Sequence, residues 1–259
     1  MVKVLIAFSQ SHLDFRIAEF EAVCEMFDIK YTSNQPFNLQ KHVYLIDFEN
    51  LKDVQKLLSR AVLIKYAFEF LVEAENYENL YQQIGSSMKI EKSSFALRIF
   101  SIGKKKKLDN IERIRNFLEN VEIDARVDLK NPEIELFLVE EYEKPDDEAA
   151  KRVYFTKLIG EGRCELKTKY NLRERCYIGN TTMDPELSFI QANISQVRPA
   201  NLVLDPFVGE FYRVPSDVSK YNEMREGRCF SRESTEKKNA TLIEHSSNLS
   251  KIFYFEKRI

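Results

Sequence analysis

Residues 202–209, Leu-Val-Leu-Asp-Pro-Phe-Val-Gly, form the most chemically suggestive run in the sequence. A short apolar stretch closing on Asp-Pro-Phe-Val-Gly reads as a strand and a tight turn. Glycine in such a turn lets backbone N–H groups approach an anionic group, which a following helix N-terminus also favours. Asp205 lies just past the strand, placed to bind an amine or an ordered water, and Phe207 and Gly209 complete the turn. An ordinary strand ending in an Asp-Pro turn has the same pattern. Upstream, Thr181 or Thr182 can cap a helix opening near Met183, Asp184, Pro185 and Glu186, because proline is tolerated in a first helical turn. Leu187, Ile190 and Ile194 then share one buried face.

A second set of residues is basic. Lys104, Lys105, Lys106 and Lys107 fall between an expected strand and helix. They would supply phosphate attraction that is salt-dependent and blind to base sequence. Arg98, Arg113, Arg115 and Lys130 extend the patch if the fold brings them together, and a solvated loop fits the same residues. Arg163, Lys167, Lys169, Arg173 and Arg175 make a later stretch basic as well. The formal net charge is −2, so any polyanion contact has to come from a local patch rather than a global field.

Other chemistry is disfavoured. Cys24, Cys164, Cys176 and Cys229 include no C-x-x-C pair, which argues against a zinc site within the chain and against a disulfide framework, and suits a reducing compartment. His12, His42 and His245 have no spacing for a triad or a metal site. The apolar run 4–8 is too short for a signal segment, and no stretch approaches membrane-spanning length.

The elements that must position these groups are legible in the periodicity. Residues 2–8, 43–48 and 62–66 read as strands, with helices over 11–26 (Phe15, Ala18, Ala22 and Val23 inward) and 50–58. A second block has a helix over 77–85 stopped by Gly85, an alternating strand over 94–100, and a helix over 108–118 with Ile111, Ile114, Phe117 and Leu118 on one face. Another strand follows at 134–139, then an acidic stretch to 150 that contains Pro145. The pattern is that of an α+β fold.

Phe-Ala-Leu-Arg-Ile at 95–99, the helix after it and Val-Asp-Leu-Lys-Asn-Pro at 127–132 resemble a THUMP domain, an RNA-binding module of tRNA-modifying enzymes. The more specific likeness is Tyr-Ile-Gly-Asn-Thr-Thr-Met-Asp at 177–184 ahead of Asp-Pro-Phe-Val-Gly at 205–209. It resembles the opening of the methyltransferase domain in the tRNA (guanine-10-N2)-methyltransferase family. The resemblance implies a ferredoxin-like N-terminal domain (1–56), a THUMP domain (57–145), a linker (146–175), the first elements of a Rossmann-like methyltransferase domain (176–210) and a divergent polar tail (211–259). It implies S-adenosylmethionine as cofactor, with Thr182, Met183, Asp184, Asp205, Phe207 and Gly209 as its neighbours. tRNA would bind through Arg98, Lys104, Lys105, Lys106, Lys107 and Lys130. A small zinc-binding activator subunit is the expected protein partner, and the cytoplasm the expected location.

The sequence also departs from that family. Guanine-N2 methylation there uses an [ND]-P-P-[YF] turn that accepts hydrogen bonds from the amino group and stacks an aromatic ring on the flipped base. The seven prolines here include no adjacent pair, so no catalytic residue can be assigned. Beyond Gly209, Glu210 would set a carboxylate against the cofactor's own, and Phe211 would crowd the turn. The expectation is therefore a truncated chain that binds tRNA and is inactive alone, with a non-catalytic module or competing fragment as the alternative.

Overall fold

The computed structural model describes residues 1–33, 35–38, 41–85, 87–88, 93–104, 110–171, 173, 183–198 and 201. The strands are β1 (Val2–Phe8), β2 (Tyr31–Ser33), β3 (Val43–Phe48), β4 (Ile64–Ala74), β5 (Ser87–Met88), β6 (Ser94–Ile102), β7 (Glu122–Ile123), β8 (Arg126–Val127), β9 (Ile134–Glu141) and β10 (Arg152–Glu161). The helices are α1 (Arg16–Met26), α2 (Leu51–Leu58), α3 (Tyr77–Ile84), α4 (Asn110–Asn120), α5 (Leu166–Lys169) and α6 (Pro185–Ile194). Residues 1–164 form one compact unit and 165–259 a second.

In the first unit a single eight-stranded mixed sheet runs β2-β3-β1-β4-β10-β9-β6-β8, and β5 pairs with β7 apart from it. The pairs β1–β3, β1–β4, β4–β10 and β10–β9 are antiparallel, whereas β9–β6 and β6–β8 are parallel. Period-two alternation sorts the side chains onto two faces. Val4, Ile6 and Phe8 of β1 join Phe20 and Val23 of α1 and Leu57 of α2 in one core. Leu97, Leu136 and Phe155 join Leu80 of α3 and Phe117 of α4 in another. Leu5, Ala7, Phe68, Phe137 and Val139 build a third core.

That third core requires a curved sheet. Tyr66 of β4 and Phe100 of β6 are three strand spacings apart, and register sets Phe100 level with Glu73, so a flat sheet would hold the two more than about 14 Å apart. Their ring centroids nevertheless lie 5.0 Å apart, as do those of Phe68 and Phe137. The strands bend towards each other, and the aromatic rings fill the concave side.

Several sequence expectations need correction. Residues 152–161, assigned to a linker, form β10, which pairs with β4 on one side and β9 on the other. Register shifts at Phe155/Thr156 and Leu158/Gly160 interrupt its alternation and hide the strand from a period-two reading. β10 also joins the two blocks in one sheet, with no boundary near residue 56. Helix α1 starts at Arg16 after a 3-10 turn at Leu13–Phe15, and Ala18 faces solvent. Its inward face carries Arg16 and Glu19 beside Phe20 and Val23, so polar residues displaced the expected phase. In α4, Phe117 is buried as expected, but Ile111 is exposed.

The second unit, described by itself, contains α5 and α6. Phe189 and Ile190 of α6 are buried, and the Tyr170 ring lies 5.8 Å from that of Phe189. Leu187 and Ile194, expected inside with Ile190, are only half-buried. The expected Rossmann-like strand at 202–209 lies outside the described residues.

Candidate nucleic-acid interface

The loop after β8 is tightly built. Register pairs Ser94 with Arg126 and Phe95 with Val127, which fixes its start. Asp128 then folds the chain over: its Oδ1 accepts from the N–H of Lys130 and of Asn131, each at 3.0 Å. These two hydrogen bonds, with Arg126 assisting, hold the Asp128 carboxyl below its usual range. The far end is clamped by Glu133, whose carboxylate accepts from the Ser93 N–H at 3.1 Å and from its hydroxyl at 2.9 Å. Ser94 Oγ in turn accepts from the Glu133 N–H at 3.1 Å. Between these anchors the loop presents Val127 (52% exposed), Leu129 (68%), Arg126 and Lys130 to solvent.

The other expected cations are disposed differently. Arg98 Nε donates to Glu135 Oε2 at 2.7 Å across β6 and β9, so part of its charge is met within the sheet. Lys104 donates to the Asp147 carbonyl and lies 4.7 Å from the Tyr142 ring centre. Arg115 is exposed on α4. Arg113 points inward to the fully buried Glu140. Tyr77, Ser101 and Tyr142 also donate to that carboxylate, Ser101 at 2.8 Å and Tyr142 at 3.2 Å. Burial in this cluster pushes the Tyr77 hydroxyl well above its usual range. Of the proposed extensions to the patch, Arg98, Arg115 and Lys130 are therefore exposed, whereas Arg113 serves the fold. Lys105, Lys106 and Lys107 lie outside the described residues.

Among the cofactor candidates, Thr182, Asp205, Phe207 and Gly209 also lie outside the described residues. Met183 is half-buried, and Asp184 is exposed. Asp184 caps α6, its Oδ1 accepting from the Glu186 N–H at 2.8 Å, with Pro185 in the first turn. The cap is thus Asp184, not Thr181 or Thr182: its carboxylate sits one residue before the proline that opens the helix.

Residues 2–164 match the family model described as the Tmrp11 THUMP N-terminal domain. The chain belongs to that family. Beyond the THUMP match, tRNA (guanine(10)-N(2))-methyltransferase of Saccharomyces cerevisiae is 26% identical, covering 81% of this chain and 51% of its own length. The enzyme named tRNA (guanine(10)-N(2))-methyltransferase TRMT11 of Homo sapiens is 29% identical, covering 80% of this chain and 47% of its own. The chain thus spans about half the length of these relatives. Among solved structures, TrmN from Thermus thermophilus aligns over 99% of this chain and 73% of its own, with 14% identity and a TM-score of 0.48.

Within this THUMP chain, Arg126, Val127 and Leu129 were missed as candidate contacts. The signal was present in the sequence: Asp followed by Leu-Lys-Asn favours a turn whose carboxylate takes the N–H groups two and three residues on, turning the residues around it outward.

Proposed function

We propose that these residues bind tRNA, as the RNA-gripping part of a tRNA guanine-10 N2-methyltransferase. The observation that carries this reading is the THUMP family match over 2–164, joined to relatives named for that reaction over four-fifths of the chain. An exposed cationic loop supports the same reading. Cationic residues at 126 and 130 stand on a hydrogen-bonded loop at the sheet edge, and such contacts supply phosphate attraction without reading sequence.

Methyl transfer in the whole enzyme would use S-adenosylmethionine as the methyl donor. Of its expected neighbours, Asp184 commits one carboxylate oxygen to capping α6. The [ND]-P-P-[YF] turn is not among the seven prolines of this sequence, so we propose binding without turnover for these residues alone. A zinc-binding activator as partner and a cytoplasmic setting belong to the same proposal.

The test is a titration of the full chain against an unmodified tRNA transcript over a salt series, followed by a methyl-incorporation assay with labelled cofactor. Binding that weakens with rising salt, with no methyl incorporation, is expected. Absence of binding at low salt would overturn the tRNA reading, and methyl incorporation would overturn the absence of turnover.

A further inference from the structure

The loop at 126–131 combines features that seldom occur together in a solvent-facing segment. Its backbone is held at both ends, by β8–β6 pairing and by the Ser93–Glu133 clamp. Its tip nevertheless exposes two aliphatic side chains, Leu129 at 68% and Val127 at 52%. Surface leucines cost little singly, but a hydrogen-bonded turn that holds one outward keeps apolar surface in water. The loop's acids are turned to internal use. Asp128 is spent on two backbone N–H groups and Glu133 on Ser93. Arg126 keeps a 3.5 Å contact with Asp128 while its side chain is 79% exposed, and Lys130 is exposed. The outward character is therefore cationic at the flanks and apolar at the tip.

We propose that Leu129 seats against the ribose edge of an RNA strand while Arg126 and Lys130 hold the phosphates on either side. This rests on the tRNA-binding reading above and gives that reading a contact point. Charge complementarity selects the occupant: a polyanion answers the flanking cations, and a sugar edge offers C–H surface to the leucine beside hydroxyls and phosphates. Double-helical RNA exposes riboses in its shallow minor groove, and unpaired RNA exposes them along the strand. Both present the same phosphate–ribose chemistry. An apolar anchor among phosphate contacts adds affinity that salt does not screen, which separates its signature from that of the lysine and the arginine.

The experiment compares the full chain with its Leu129→Ser, Arg126→Ala/Lys130→Ala and Leu51→Ser variants. Each is titrated with an unmodified tRNA transcript, a short RNA duplex and a single-stranded oligonucleotide across a salt series. Leu129→Ser is expected to weaken tRNA binding about tenfold while leaving the salt slope unchanged. The double cation variant is expected to flatten the slope by roughly two. Leu51→Ser, at an exposed leucine on α2, is expected to bind like the parent. Loss on the duplex or on the single strand identifies which source supplies the ribose edge, and either supports the proposal. Leu129 is mostly exposed, so an unchanged melting temperature accompanies these effects. If the parent binds tRNA and Leu129→Ser binds equally well, the docking role falls while tRNA binding stands. If Leu129→Ser instead abolishes self-association with RNA binding intact, the tip is a protein contact and the proposal is overturned. A parent chain that binds none of these RNAs overturns both readings.

Discussion

Glu19 and Glu140 are both fully buried carboxylates, one on a helix of the first half and one on a strand of the second, and backbone N–H groups meet the first where side chains meet the second. Glu19 of α1 accepts from the backbone N–H groups of Val62 and Leu63, at 3.0 and 2.8 Å. It fixes the path of the chain into β4. Glu140 of β9 is met by side chains: Arg113 of α4, Tyr77 of α3, Ser101 of β6 and Tyr142. It fixes how two helices sit on the strands beneath them. The first half thus uses a carboxylate to complete the backbone. The second uses one to join side chains of two helices and two strands.

Glu140→Leu is expected to have the largest effect. It leaves the Arg113 charge in a mostly buried site with no carboxylate, and removing one partner of such a pair costs about 3–5 kcal/mol. Urea denaturation of the variant measures this. The double variant Glu140→Leu/Arg113→Met should recover much of the loss, because it removes the orphaned charge as well. Equal destabilisation in the single and double variants would show that the tyrosine and serine contacts, not the charge pair, hold the helices.

Glu19→Ala is expected to come second. Two backbone donors lose their acceptor, at about 1–3 kcal/mol for each group left unsatisfied. Hydrogen exchange distinguishes the two sites further. Glu19→Ala should raise exchange at Val62 and Leu63 first, whereas Glu140→Leu should raise it throughout α3 and α4. Uniform exchange changes in both variants would erase the distinction between a backbone clamp and a helix anchor.

The helix caps offer a case in which the halves should behave alike. Asn50 accepts from the Asp53 N–H at the start of α2, and Asn76 accepts from the Asn79 N–H at the start of α3, at 3.0 and 2.8 Å. Asn50→Ala and Asn76→Ala should each cost about 1 kcal/mol. A lowered denaturant m-value in either variant would show that the two halves do not unfold as one cooperative unit.

Which parts of the molecule were legible follows from how each is satisfied. Strands β1, β3 and β9 were readable as short apolar runs, β1 being buried on both faces with Val4, Ile6 and Phe8 in one core and Leu5 and Ala7 in another, and β6 was readable from its alternation. Strand β10 was not, since two register shifts break the alternation between charged flanks. The phase of α1 was misread because Glu19 and Arg16 point inward, and a buried glutamate whose partners lie 43 and 44 residues away has no local signature. One extension of the basic patch was misread in the same way. Arg113 looks like the exposed Lys130 in sequence, and its buried carboxylate partner Glu140 on β9 decides otherwise. The turn at Asp128 was local, and its consequence for Leu129 could have been drawn from the spacing alone.

The smallest expected effect separates the halves by pH. His42 lies in the first half, and none of the chain's three histidines falls between residues 43 and 244. Its Nδ1 lies 2.8 Å from Arg16 Nη1, and Arg16 is itself 1% exposed, with Nε and Nη2 buried and unpartnered. Burial first, and the Arg16 charge second, hold the His42 imidazole below its ordinary 6.5. A neutral ring can accept from the guanidinium, and a protonated one would place two cations in contact. Above 6.5 the ring is neutral in folded and unfolded chains alike, so this site adds no pH dependence. As pH falls through 6.5 the unfolded chain takes up the proton first, and folding stability declines until the lower folded value is passed. Urea midpoints at about pH 7.5 and about pH 5.5 should therefore differ. His42→Asn, which keeps an oxygen for Arg16 but cannot titrate, should narrow that difference. If His42→Asn retains the full decline, the pH response belongs to other groups, and the buried Arg16 does not depend on a neutral imidazole.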